Sequence, residues 1–166
     1  MNSLAGYHDL LNHFYSFFAG LEDLISEKTV QPYLEDYLAR RKSQNLVTDI
    51  IGCGGEISEK APKMALPVIN NAVQAMGALY VIEGSTLGGQ IISKMIFRQL
   101  NFVNHDCLSY FIGYGSQTET MWMRFKQSIN EIGEADAPEL IRTANETFIK
   151  FKAWIEKNDR EKELQQ

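Results

Sequence analysis

The stretch Tyr80-Val81-Ile82-Glu83-Gly84-Ser85-Thr86-Leu87-Gly88-Gly89-Gln90-Ile91-Ile92 constrains this chain more than any other. It sets three glycines and two small hydroxyl residues inside what otherwise reads as one long helix. Upstream, Val73, Met76, Gly77, Tyr80 and Val81 recur at three- and four-residue spacing. Downstream, Ile91, Ile92, Met95, Ile96 and Leu100 do the same. Each glycine inside a helix costs roughly 0.5–1 kcal/mol relative to alanine, so this cluster needs a reason. Two readings are open. Gly84 and Gly88 lie four apart and share a face, where the lack of Cβ atoms lets a flat molecule approach the backbone and lets the helix bend. Alternatively, the small residues let another helix cross closely. A phosphate loop does not fit, because there is no Gly-x-x-x-x-Gly-Lys pattern and the segment lies within a helix.

The 166 residues suit one domain spanning 1–166, with a charged tail from about residue 157. A net charge of −5 argues against a nucleic-acid surface, which needs clustered lysine and arginine. The longest basic run, Arg40-Arg41-Lys42, reads as a solvated helix end. No apolar stretch reaches the roughly 20 residues that span a bilayer, and Met1-Asn2-Ser3 has no basic leader, so no membrane partner is expected. Cys53 and Cys107 are far apart in sequence and read as neither a disulfide framework nor a zinc pattern, which makes a reducing cytoplasm the expected compartment. The histidines His8, His13 and His105 form no Cys/His metal cluster, and no metal ligand is assigned.

Helix signals dominate, and no internal repeat appears. Ser3 caps a predicted helix to about Ser26, with Tyr7, Leu10, Leu11, Phe14, Phe17, Phe18, Leu21 and Ile25 as its buried stripe. Pro32 opens a second segment to about Asn45. A short helix follows to Ile51, then a loop through Gly54-Gly55 to Pro62. The spacing predicts the glycine-rich helix from Pro67 to about Leu100, a loop holding Asn101, Asn104 and His105, and one turn at 109–111. Further helices run from Thr118 to about Ile132 and from Pro138 into the charged tail. Strand alternation is absent, so the expected fold is all-α.

On these residues the chain resembles the bacterial heme oxygenases, the biliverdin-producing type often paired with bacteriophytochromes. Ala78 through Gly89 looks like that family's distal-helix motif, which kinks over the distal face of the heme. Tyr7 through Glu22 resembles its second helix. Phe111-Ile112-Gly113-Tyr114-Gly115 and Met121-Trp122-Met123-Arg124-Phe125 resemble its later connection and helix, and Ala144 through Trp154 resembles its last helix. The resemblance implies a single heme-oxygenase-like helical bundle with a glycine-kinked distal helix. It implies oxidative cleavage of heme to biliverdin, iron and carbon monoxide, with heme as substrate and cofactor. A ferredoxin or a reductase would supply electrons. Family members begin with a helix carrying the iron's proximal histidine; this chain starts where the second helix should, so that helix is expected to be missing. The apolar surface it would cover then invites a homodimer.

The resemblance implies catalytic roles for Gly84, Ser85 and Gly88, and heme contacts for Tyr80, Gly84, Gly88, Gly89 and Lys126. Ser85 stands where many family members carry an aspartate that organises distal water. The plain alternative is a hydroxyl bonding back to the preceding turn. Lys126 and Arg124 are candidates for the heme propionates, or ordinary solvated charges. Glu83 reads as a polar network or salt bridge. His13 is the substitute iron ligand to weigh against a packed core histidine; His8 reads as near-surface. The competing functions are a degenerate, non-catalytic homologue that binds heme or another tetrapyrrole weakly or serves as a protein-interaction scaffold, and a thiamine-degrading relative using a nucleophilic cysteine.

Overall fold

A computed structural model describes residues 3–101 and 107–164. His105 and Asn104 lie outside the described residues. Ser3 accepts a hydrogen bond from the Gly6 amide and caps α1, Leu4–Glu22. The expected run to Ser26 is shorter because Ser26 instead caps the single turn α2, Glu27–Val30, by accepting the Thr29 amide. The predicted helix from Pro32 to Asn45 is absent. Turns and a 3-10 turn at Tyr37–Ala39 occupy it, and Arg40 is extended. Then come α3, Gln44–Gly52, and a loop to the 3-10 turn Lys63–Ala65. The glycine-rich α4 runs unbroken over Ala72–Gln99. It begins five residues after Pro67 because Asn71 accepts the Gln74 amide while the Gln74 side chain accepts the Asn70 amide. That near-capping box was the local signal for the true start. The single turn α5, Ser109–Ile112, precedes α6, Thr118–Asn130, and α7, Ala137–Glu163. Among the described residues no strand occurs, and the fold is all-α.

The core explains the order. Aromatic residues of α1 stack inward, with Phe14 and Phe18 edge-to-face at 5.5 Å and Phe18 4.7 Å from Phe151 of α7. Tyr7, Phe17, Phe18, Tyr110, Phe111 and Phe125 are almost wholly buried. At roughly 25 cal/mol per Å², rings of this size dominate the apolar driving force. Asp49, at the end of α3, is fully buried and accepts the Ser109 and Tyr110 amides, which fixes the start of α5. Burial pushes its carboxyl above the usual range.

The two cysteines correct the sequence reading. Cys53 and Cys107 form a disulfide, with Cα atoms 5.7 Å apart, that ties the end of α3 to the chain two residues before α5. The argument for a reducing compartment from unpaired thiols therefore falls. Among the described residues no helix is long and apolar enough to cross a membrane.

Candidate functional site

The glycines of α4 divide into two kinds. A Cβ on Gly77 would lie 2.6 Å from the Leu140 carbonyl, and one on Gly89 would lie 2.5 Å from the Phe111 carbonyl. Those two let α7 and α5 come against the α4 backbone. A Cβ on Gly84 would make ordinary contact with Trp122 at 3.7 Å, and one on Gly88 would meet nothing within 4 Å. The helix-crossing reading therefore holds for only some of these glycines. Close helix crossing explains Gly77 and Gly89; it does not explain Gly84 and Gly88.

Beyond the crossing at Gly77, α4 and α7 leave an open cleft of about 400 Å³. Tyr80, Val81, Gly84 and Ser85 form one wall, Ala144, Asn145 and Phe148 the other, and Phe14, Phe18 and Phe151 supply further apolar surface. The volume falls in the range of small-molecule sites. Phe148 is 61% exposed although it is a large apolar side chain. Tyr80 also borders a second cleft, of about 510 Å³, on the α6 side, where Arg124, Lys126, Gln127 and Asn130 line it. The structure thus brings Tyr80, Gly84 and Ser85 together. Gly88 is exposed one turn further along. Lys126 lies across Tyr80 in the neighbouring cleft. Gly89 is buried against α5 and does not line either cleft.

Behind Ser85 lies what the sequence concealed. The run Arg40-Arg41-Lys42 is not a solvated helix end: Arg40 is 3% exposed and Arg41 6%. The extended backbone at Arg40 turns both guanidinium groups inward under α4. Arg40 donates to Glu83 Oε2 at 2.8 Å, to both Asp36 oxygens and to the Met121 carbonyl. Tyr114 donates to Glu83 at 2.9 Å and accepts the Arg41 amide. Burial and the Glu83 carboxylate push the Tyr114 hydroxyl well above its ordinary value. Glu83 is accordingly a buried salt-bridge residue in a network. Arg41 donates to the Ile82 carbonyl at 2.7 Å, to Ser85 Oγ at 2.6 Å and to the Tyr110 carbonyl at 3.0 Å, and its guanidinium lies 3.8 Å from the Tyr110 ring centre. Ser85 itself donates to the Ile82 carbonyl at 2.7 Å, the back-bonding expected of a helical serine. Little in the local sequence marks Arg40 and Arg41, because apart from Asp36 their partners lie forty or more residues away.

The model of the heme oxygenase family matches residues 2–157. The chain belongs to the heme oxygenase family. It is also similar to a protein named heme oxygenase from Xanthomonas campestris pv. campestris (strain 8004), 27% identical over 125 residues, which cover 75% of this chain and 72% of that protein.

Within this heme oxygenase fold, the two described histidines, His8 and His13, do not line the cleft. His8 Nε2 lies 3.0 Å from the Cys53 carbonyl. His13 is buried on the other side of α1, where it borders a separate cleft with Asn12, Ser16 and Asn158. Its Nδ1 is 3.7 Å from Asp159, its Nε2 has no partner, and burial lowers its pKa. The substitute-ligand idea for His13 is therefore not supported by its position. Among the described residues no group of three or more His, Cys, Asp or Glu side chains is placed to hold a metal ion. Both cysteines are in the disulfide, so neither offers the thiol that the thiamine-degrading reading requires.

Proposed function

We propose that the α4–α7 cleft, walled by the α4 backbone at Gly84, would hold heme, and that the protein oxidises heme to biliverdin, iron and carbon monoxide. The single observation that carries this reading is an aromatic-lined cleft opening at Gly84, an α4 glycine that no helix crossing requires. The flat apolar walls of Phe14, Phe18 and Phe148 suit a macrocycle. Its carboxylates would extend past Tyr80 toward Arg124 and Lys126, where an exposed guanidinium and an ammonium meet them at low desolvation cost. Bound heme supplies the iron at which dioxygen is activated, with electrons from a ferredoxin or a reductase. The chain's own part is to exclude water with the aromatic walls and to hold polar hydrogens at Ser85.

A second reading rests on one observation: among the described residues no histidine lines the cleft. It is a non-catalytic tetrapyrrole binder or interaction scaffold on the same fold. The exposed α4 stripe Leu87, Ile91 and Met95 is where a homodimer would form. The testing experiment is a hemin titration followed by absorbance. A saturable one-to-one Soret band that bleaches with ascorbate and gives a biliverdin band supports the enzyme. A stable Soret band without bleaching supports the binder, and no saturable band overturns both heme readings.

A further inference from the structure

We propose that Arg41 is a positioning residue for the cleft: from behind α4 it holds Ser85 so that the Ser85 hydroxyl can turn and donate its proton to an electron-rich ligand atom beside Gly84. The inference rests on the reading of this cleft as the heme site. Ser85 now spends its proton on the Ile82 carbonyl. That same carbonyl accepts Arg41 Nη2, which also donates to Ser85 Oγ. When the hydroxyl rotates into the cleft, the Ile82 carbonyl keeps the guanidinium, so no buried acceptor is left orphaned. A guanidinium donating into the serine oxygen polarises the O–H bond and makes its proton a better donor.

Charge supports the same conclusion. Arg40 and Arg41 are adjacent and equally deep, yet Arg40 is held by two carboxylates, whereas Arg41 makes no ion pair among the described residues. Its three acceptors are neutral, and its Nε has no partner. The nearby Glu22 carboxylate is already held by the Ser43 amide and hydroxyl. The Tyr110 hydroxyl, also buried there, lies beside Ser85. With no carboxylate in contact, the guanidinium keeps its donors on Ser85 and the two carbonyls, so its charge acts on the cleft through the serine hydroxyl.

The test uses the full chain, loaded with hemin, and its Arg41→Met, Arg41→Lys, Ser85→Ala and Arg41→Met/Ser85→Ala variants. Fluoride and imidazole are titrated separately and followed by absorbance. Fluoride is an anion that depends on a hydrogen-bond donor; imidazole is neutral and does not. Arg41→Met and Ser85→Ala are each expected to weaken fluoride binding by about tenfold, the worth of one charge-assisted hydrogen bond. The double variant should lose no more than either single one, because both act on one donor. Imidazole affinity should stay constant, and Arg41→Lys should recover part of the fluoride affinity. Equal losses for both ligands, or additive losses, make Arg41 merely structural and overturn the inference. Fluoride binding unchanged in Ser85→Ala overturns it even if Arg41→Met does not fold. Failure of the unsubstituted protein to take up hemin overturns the heme reading and this inference together; hemin uptake with fluoride indifferent to Ser85 overturns this inference alone.

Discussion

The inner side of α4 carries Ile82, Glu83, Thr86 and Gly89, all buried; the outer side carries Tyr80, Gly84, Leu87 and Gly88, half-buried or exposed. Each side has a glycine, yet the inner one is filled by a neighbouring backbone and the outer ones are left open. Each side also meets an arginine-bearing network from below. Glu83 pairs with Arg40, while Ser85, on the cleft wall, meets Arg41, which contacts no carboxylate among the described residues. The inner side is therefore spent on stability. The outer side is built at some expense to stability, which is the pattern expected where a helix serves a ligand.

The largest expected effect is on the inner side. Glu83→Leu leaves the buried Arg40 with Asp36 as its one carboxylate and the Tyr114 hydroxyl proton without an acceptor, so urea unfolding should show a loss of about 3–5 kcal/mol. A loss under about 1 kcal/mol would mean that the network is relaxed and that the two sides differ less than the distances imply. Next comes the glycine pair. Gly89→Ala drives a methyl into the Phe111 carbonyl and should cost about 1–3 kcal/mol. Gly88→Ala meets open space and should raise stability by roughly 0.5–1 kcal/mol. If the heme reading holds, Gly88→Ala should nonetheless weaken hemin binding, and equal behaviour of the two variants would erase the comparison.

A smaller effect lies away from α4. Burial lowers the His13 pKa, with Asp159 and Asp9 opposing and Lys162 reinforcing. The unfolded chain then binds a proton that the folded state resists, so this contribution is complete above about pH 6.5 and declines as pH falls below it. The stability of His13→Gln should fall less steeply than that of the unsubstituted protein between pH 6.5 and 5. The comparison isolates His13 from Glu22 and Asp49, whose raised pKa values act with the opposite sign. The smallest expectation is a null one. His13→Gln should leave hemin affinity unchanged, because His13 borders a different cleft from Gly84.

Elements governed by local chemistry were legible. Ser3 as a cap, the α1 aromatic stripe, α3, the turn at Ser109 and the α6 start all follow from capping and spacing. The segment after Pro32 was misread because Tyr33, Leu34, Tyr37 and Leu38 carry helical spacing, while the extended Arg40 that breaks it is held by partners on α4 and α6. Of the cleft lining, the motif singles out Gly84 and Ser85, whereas Gly89 faces α5, a contact that tertiary packing sets.

By itself the sequence determined that the chain is helical and that one helix bears a costly glycine cluster for which two readings stay open. These follow from periodicity, capping and backbone propensity, which act over a few residues. Only the tertiary structure decided which glycines are contacts and which are open, that Arg40 and Arg41 are buried, and that Cys53 meets Cys107. Each depends on groups brought together across long separations, 43 residues for Arg40 and Glu83 and 54 for the cysteines, and no local pattern encodes such a meeting.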